Sequence, residues 1–283
     1  MKRIIKKRSL LLILAVVIML TMATLGACAK DKPANTDSAD EPAAAEEAVT
    51  GQIMIAAAAS LENALTEELI PLFNEEYPDV AVTGSYDSSG KLQEQIEGGL
   101  DAAIFFSAAT KQMDALVDGG YIDRNNVVNL LENQIVLITS ASSETKVASF
   151  EDITNAASIA IGDPAGVPAG QYAQEVLTSL GNWDRVSASA SLGTNVTEVL
   201  SWVAEGSAEV GIVYATDAAS MPDKVKVLAT APADSLKTPV VYPVETLGSV
   251  ADANREAAES FVTFLQSDAA MAVFEKYGFK PAA

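Results

Sequence analysis

Five stretches of this chain set small or hydroxylated residues where a strand gives way to a helix, a pattern that can hold an anion without a basic side chain. The first is Ile159-Ala160-Ile161, followed by Gly162-Asp163-Pro164-Ala165-Gly166-Val167-Pro168-Ala169-Gly170 and a helix entered at Gln171-Tyr172. Pro168 suits a first helical position, because the N–H it lacks would have had no partner there. The amides of Ala169, Gly170 and Gln171 are then left pointing along the axis, and the small side chains of Ala169 and Gly170 let an oxyanion approach them closely. Ile53-Met54-Ile55-Ala56-Ala57-Ala58-Ala59-Ser60 runs a strand into a serine at an expected N-cap, and Ser85-Tyr86-Asp87-Ser88-Ser89-Gly90 repeats the device with two serines. Gly193-Thr194-Asn195-Val196-Thr197 offers Asn195 or Thr194 as cap and the Val196 N–H as donor; Gly211-Ile212-Val213-Tyr214 ends a strand on a phenol. Each stretch alone is also what an ordinary strand-to-helix turn looks like. Their common lack of a basic residue between strand and cap makes the set hard to dismiss.

Such turns share a space only if strands and helices alternate. The pattern predicts strands at 52–58, 80–86, 102–107, 134–139, 159–161, 209–213, 225–228 and 239–244. Helices are expected from 60, over 90–97, 110–118, from 171, and over 195–204, 253–265 and 268–276. Alternation of this kind means an α/β fold with mostly parallel sheets flanked by helices, where ligands bind at the carboxyl ends of the strands. Val196, Val199, Leu200 and Val203 share one helical face, as do Ala257, Phe261 and Leu265, and both stripes read as core. Pro71 falls inside the first helix and is expected to kink or split it. There is no internal repeat.

Composition narrows the chemistry. The 283 residues include 38 acidic and 18 basic side chains, one cysteine and no histidine. The usual proton shuttle and the commonest metal ligand are therefore missing, so no cofactor and no bare metal ion is expected. The N-terminus carries Lys2, Arg3, Lys6, Lys7 and Arg8, then an apolar run from Leu10 to Leu20, then Leu25-Gly26-Ala27-Cys28. This is the layout of an export signal, and its ending resembles a bacterial lipobox, in which Cys28 would be lipidated and become the mature N-terminus. An uncleaved membrane anchor is the alternative, since no charge falls between Arg8 and Lys30; the place of the sole cysteine favours the lipoprotein. Residues 28–50 read as a disordered tether rich in Ala, Asp, Glu and Pro. Without residues 1–27 the chain keeps 13 basic against 38 acidic residues, a net charge of −25. Such a surface repels nucleic acid and anionic lipid, so binding to either is not expected.

With these features the sequence resembles the molybdate-binding proteins of bacterial ABC transporters, which have a type II periplasmic-binding-protein fold. The resemblance spans residues 52–280. It rests on Ala57-Ala58-Ala59-Ser60-Leu61, Ser88-Ser89, Gly162-Asp163-Pro164 with Val167-Pro168-Ala169-Gly170 and Tyr172-Ala173, Gly211-Ile212-Val213-Tyr214-Ala215-Thr216-Asp217-Ala218, and Tyr277-Gly278-Phe279. It implies that an oxyanion, molybdate or tungstate, is held by the hydroxyls and amides of Ser60 and Ser89, the amides of Ala169 and Val196, and the Tyr214 hydroxyl. It implies two lobes, residues 51–131 with 241–283 and residues 132–240, with crossings near Asn133 and Val240 and a hinge that closes on the ligand. It also implies an ABC permease as partner and an extracytoplasmic location, lipid-anchored to the outer face of the cell membrane, for a chain expected to be a monomer. Two positions depart from the family pattern: Ala109 stands where an acid is frequent, and Asp87 where a small neutral residue is common.

Other readings have less behind them. Ser88-Ser89-Gly90-Lys91 matches the Ser-x-x-Lys of β-lactamases, but Ser-Asp-Asn is missing and the nearest approach to Lys-Thr-Gly is Lys237-Thr238-Pro239. Residues 84–91 fail as a phosphate loop, with five residues between Gly84 and Gly90 and Leu92 in place of Ser or Thr. Sulfate, phosphate or a small organic anion remains the alternative ligand. With no titrating group among the five contacts, affinity is expected to be flat from about pH 6 to 8.

Overall fold

A computed structural model describes residues 48–282. The export signal, Cys28 and most of the expected tether lie outside the described residues. Among the described residues no helix is long and apolar enough to cross a membrane.

The chain opens with strand β1 (Gly51–Ala58), whose inner residues Ile53, Ile55, Ala56 and Ala57 are buried. The helix after it is continuous but changes pitch. A 3-10 turn (Ala59–Leu61) leads into α1 (Glu62–Ala64), a π turn (Leu65–Leu69) and α2 (Ile70–Glu76). The chain stays helical through Pro71, so the expected split is absent. Pro71 has no N–H to donate; just before it the Ile70 N–H reaches back five residues to the Leu65 carbonyl, and this widened turn absorbs the mismatch. Packing decides the matter: Leu61, Leu65, Leu69 and Phe73 recur every fourth residue and are fully buried. At about 2 kcal/mol each, their burial outweighs the roughly 3 kcal/mol that an interior proline costs. Phe73 also meets Phe261 edge-on, with centroids 4.7 Å apart.

Next come β2 (Val80–Asp87), α3 (Ser89–Glu97), β3 (Ile104–Phe106), α4 (Thr110–Asp118) and β4 (Val128–Asn133). The chain then enters β5 (Ile135–Ser140), β6 (Ile159–Gly162), α5 (Pro168–Ser179), α6 (Trp183–Ser187), β7 (Ser191–Gly193), α7 (Val196–Ala204), β8 (Val210–Tyr214), α8 (Ala215–Ser220) and β9 (Val225–Thr230). It finishes with β10 (Val240–Thr246), α9 (Asp252–Leu265), α10 (Asp268–Lys276) and β11 (Lys280–Pro281). The expected stripes are core: Val196, Val199, Leu200 and Val203 on α7 are buried, as are Ala257, Phe261 and Leu265 on α9.

These strands form two sheets, in the orders β11-β4-β10-β3-β1-β2 and β7-β6-β8-β5-β9. In each, a parallel trio carries the strand-to-helix turns: β3-β1-β2 in the first sheet and β7-β6-β8 in the second. The antiparallel members are β4, β5, β9, β10 and β11, which carry the chain between the sheets or end it. The chain leaves the first sheet at Asn133, enters the second at Ile135, and returns between Thr230 and Val240. Both parallel trios turn their carboxyl ends to the same cleft.

Candidate functional site

Each parallel strand delivers its next residues to that cleft. β6 ends in a loop where the amides of Gly166 and Val167 bond the Asp163 carbonyl (3.2 and 2.8 Å) and the Ala165 amide bonds the Asp163 carboxylate (3.0 Å). This tight loop sets Pro168 at the first position of α5, as its missing N–H favours. The amides of Ala169 and Gly170 follow in the first turn, without intrahelical acceptors. Gly170 must be glycine, because a Cβ there would stand 2.0 Å from the Gly162 carbonyl oxygen. Asn195 caps α7 by accepting from the Glu198 amide (3.0 Å), which leaves the Val196 N–H at the helix start.

The serines differ from the expected caps. Neither Ser60 nor Ser88 makes a side-chain cap bond; Ser60 lies within the 3-10 turn, and Ser88 flanks α3 through its backbone. The hydroxyls are used elsewhere. Ser60 Oγ lies 3.0 Å from the Tyr242 hydroxyl. Ser89, fully buried, accepts from the Ala108 N–H at 3.0 Å, so its own proton remains available to a guest. The Tyr214 hydroxyl reaches the Ala108 carbonyl only at 3.4 Å, close to the limit of a hydrogen bond. Burial raises the Tyr214 phenol well above its ordinary range, so it is a neutral donor.

Ser60, Ser89, Ala169, Val196 and Tyr214 all line one small cavity of about 10 Å³, with Asp87 at its edge. That is about the space of one water molecule. The two halves are shut over it. Gly90 N–H donates to the Gly166 carbonyl (2.9 Å), Gln112 Nε2 to Gln171 Oε1 (3.2 Å), and Asn195 Nδ2 reaches Asp87 Oδ1 at 3.5 Å. A depression of about 500 Å³ beside α5, bordered by Glu175 and Lys237, is larger, but among the described residues no comparable set of helix-start amides lines it.

The acid at position 87 is held by its own partners. Its carboxylate accepts from the Ser88 amide (2.8 Å) and pairs with Lys91 at 2.5 Å, which raises the lysine pKa. Lys91 is thereby committed to Asp87. At the other departure, Ser107 Oγ donates to the Ala109 carbonyl (2.7 Å), so the turn closes on itself without an acid.

Two features escaped the sequence reading. Asp217, buried in the first turn of α8, accepts the Tyr214 N–H at 3.0 Å, and burial pushes its carboxyl up to about 7. A titrating group thus stands directly behind a proposed contact, outside the five contacts for which a flat pH profile was expected. Its signal was present, since an acid three residues after a strand-end residue is the N3 half of a capping box. The second feature is Tyr242 with Asn133, more than 100 positions apart in sequence and 3.2 Å apart in space, for which no local signal exists.

Two α/β halves joined by crossing strands, shut over a small cavity of amides and hydroxyls, define a solute-binding protein of the type II periplasmic class. Comparison with known proteins agrees. Residues 53–280 match the family described as bacterial extracellular solute-binding protein. YvgL of Bacillus subtilis, named as a proposed ABC transporter substrate-binding lipoprotein, is 42% identical over 80% of this chain and 85% of its own. The molybdate-binding protein ModA of Escherichia coli is 38% identical over 81% of this chain and 89% of its own. The periplasmic molybdate-binding protein of Azotobacter vinelandii superposes with a TM-score of 0.70 over 82% of this chain and all of its own, at 24% identity, which establishes the shared fold. The chain belongs to the bacterial extracellular solute-binding protein family.

Proposed function

We propose that this protein captures molybdate, and tungstate as well, from outside the cytoplasmic membrane and delivers it to the permease of an ABC importer. The observation that carries the reading is the convergence of Ser60, Ser89, Ala169, Val196 and Tyr214, all neutral donors, on one small cavity between the two halves. A dianion held by such donors needs no counter-ion, because each bond to the charged guest contributes about 1.5 to 3 kcal/mol. The 38% identity to a molybdate-binding protein supports this ligand over others of the same charge. Residues 51–131 with 241–283 serve as one lobe and 132–240 as the other, hinging at the crossings so that ligand binding shuts the cleft. Cys28, lipidated after removal of residues 1–27, anchors the chain to the outer face of the membrane as a monomer. The role is binding without catalysis: Lys91, which a Ser-x-x-Lys hydrolase would need beside its serine, is paired with Asp87.

Thermal melting in the presence of molybdate, tungstate, sulfate and phosphate tests this. Molybdate and tungstate are expected to raise the melting temperature by similar amounts, and sulfate and phosphate by much less. Stabilisation by sulfate equal to that by molybdate would refute the assignment.

A further inference from the structure

A serine hydroxyl can donate or accept, so its place at an anion site does not settle which it does. At Ser60 the surrounding network fixes the direction. One group has no choice: the backbone N–H of Gln134 donates to Asn133 Oδ1 at 2.8 Å. This sets the amide of Asn133, at the end of β4, with its Nδ2 toward Tyr242 and Thr216. Nδ2 donates to Thr216 Oγ1 at 2.9 Å and to the Tyr242 hydroxyl at 3.2 Å. An amide nitrogen cannot accept in return. The Tyr242 oxygen is therefore an acceptor from Asn133, and its proton must go elsewhere. Ser60 Oγ is aligned to take it at 3.0 Å. Tyr242 is fully buried.

We propose that Asn133 and Tyr242 are positioning residues that polarise Ser60, so that its lone pair is occupied by the phenol and its proton is directed at the bound oxyanion. The relay runs from the strand crossing through Asn133 and Tyr242 to Ser60. It rests on the reading of the cavity as an oxyanion site. Thr216 on α8 ties the same amide to the second half of the molecule, so the relay is assembled where the halves meet. Ser89 reaches the same condition by a shorter route, accepting from the Ala108 N–H.

The test is a double-mutant cycle read by titration, using whichever of molybdate, tungstate, sulfate and phosphate the wild type binds most tightly. Tyr242→Phe removes the phenol proton and leaves the ring in place. Ser60 must then order its own hydroxyl on binding, so affinity is expected to fall roughly two- to tenfold. In a Ser60→Ala background the same change is expected to cost nothing more, because the relay has lost its end. Asn133→Asp supplies a second variant. It keeps an acceptor for the Gln134 amide but takes the phenol proton, turning Ser60 to donate toward Tyr242; because the new carboxylate also repels the dianion, affinity should fall in both backgrounds, and by more with Ser60 present than with Ser60→Ala. A loss of equal size with and without Ser60 would mean that Tyr242 and Asn133 only support the crossing, and would overturn the relay. Unchanged affinity of Tyr242→Phe would overturn it as well, with the oxyanion reading intact. A wild type that binds none of the four anions would overturn both.

Discussion

Gly90→Ala is the sharpest probe of closure. Gly90 lies in the first turn of α3 and touches Gly166, in the loop that leads to α5, across the cleft. A Cβ on Gly90 would sit 2.3 Å from the Gly166 carbonyl oxygen and 2.7 Å from its Cα, both backbone atoms that cannot rotate away. Ordinary contact begins near 3.4 Å, so the halves must part by about 1 Å at this point. A 2.9 Å hydrogen bond stretched by that amount is no longer one. Gly166 is followed within three residues by Ala169, so the shift also draws the start of α5 away from Ser89. Losing one or two bonds to a charged guest costs about 2 to 4 kcal/mol, or roughly 30- to 1,000-fold in affinity. The fold itself should not suffer, because alanine is about 1 kcal/mol better than glycine within a helix. Gly166→Ala is the control, since a Cβ there meets nothing within 4 Å. Titration and melting of both variants give the answer: Gly90→Ala binds weakly and melts no lower than wild type without ligand, while Gly166→Ala binds normally. Equal affinities for the two variants would refute the claim that this contact belongs to the bound state.

Ser60→Ala, Ser89→Ala and Tyr214→Phe are each expected to weaken molybdate binding by roughly ten- to a hundredfold, measured by titration, with far-ultraviolet circular dichroism unchanged. Wild-type affinity in Tyr214→Phe would remove that phenol from the site. Asp217 makes a prediction about pH. Its carboxyl is raised from 3.8 to about 7 in the folded protein, so between those values the unfolded chain releases a proton that the folded one keeps. Stability from this group is therefore full below about pH 4 and falls as pH rises to about 7, a total of about 4 kcal/mol. Asp217→Asn keeps an acceptor for the Tyr214 N–H and should remove that fall, so chemical denaturation of the two proteins at pH 5 and pH 8 should give a larger gain for the variant at pH 8. A stability difference that does not change with pH would contradict the buried, proton-retaining carboxyl.

The candidate site was legible because its proposed donors are local. The amides of Ala169 and Val196 stand at helix starts, and a proline at the first helical position or an asparagine cap is visible in a window of a few residues. Tyr214 is read from the buried strand that ends on it. What was missed is non-local or decided by packing. The Ser60–Tyr242 pair joins residues 182 apart; the expected cap at Ser60 failed because the hydroxyl found that partner instead. Pro71 was overruled by a four-residue stripe of buried Leu and Phe. Strands β4 and β11, short and partly exposed, owe their conformation to β10 and to each other, and their own patterns did not announce them.

The central claim is capture by neutral donors inside an acidic protein, and the dissociation constant for molybdate at low and high sodium chloride tests it most directly. No arginine or lysine lines the cavity among the described residues, and Lys91, the neighbouring cation, is bound to Asp87. Residues 28–283 carry a net charge of −25, which repels a dianion at long range, and salt screens that repulsion. The account predicts an affinity that stays level or rises slightly as chloride is added. A steep loss of affinity with salt would show that a cation holds the ligand, and would contradict it.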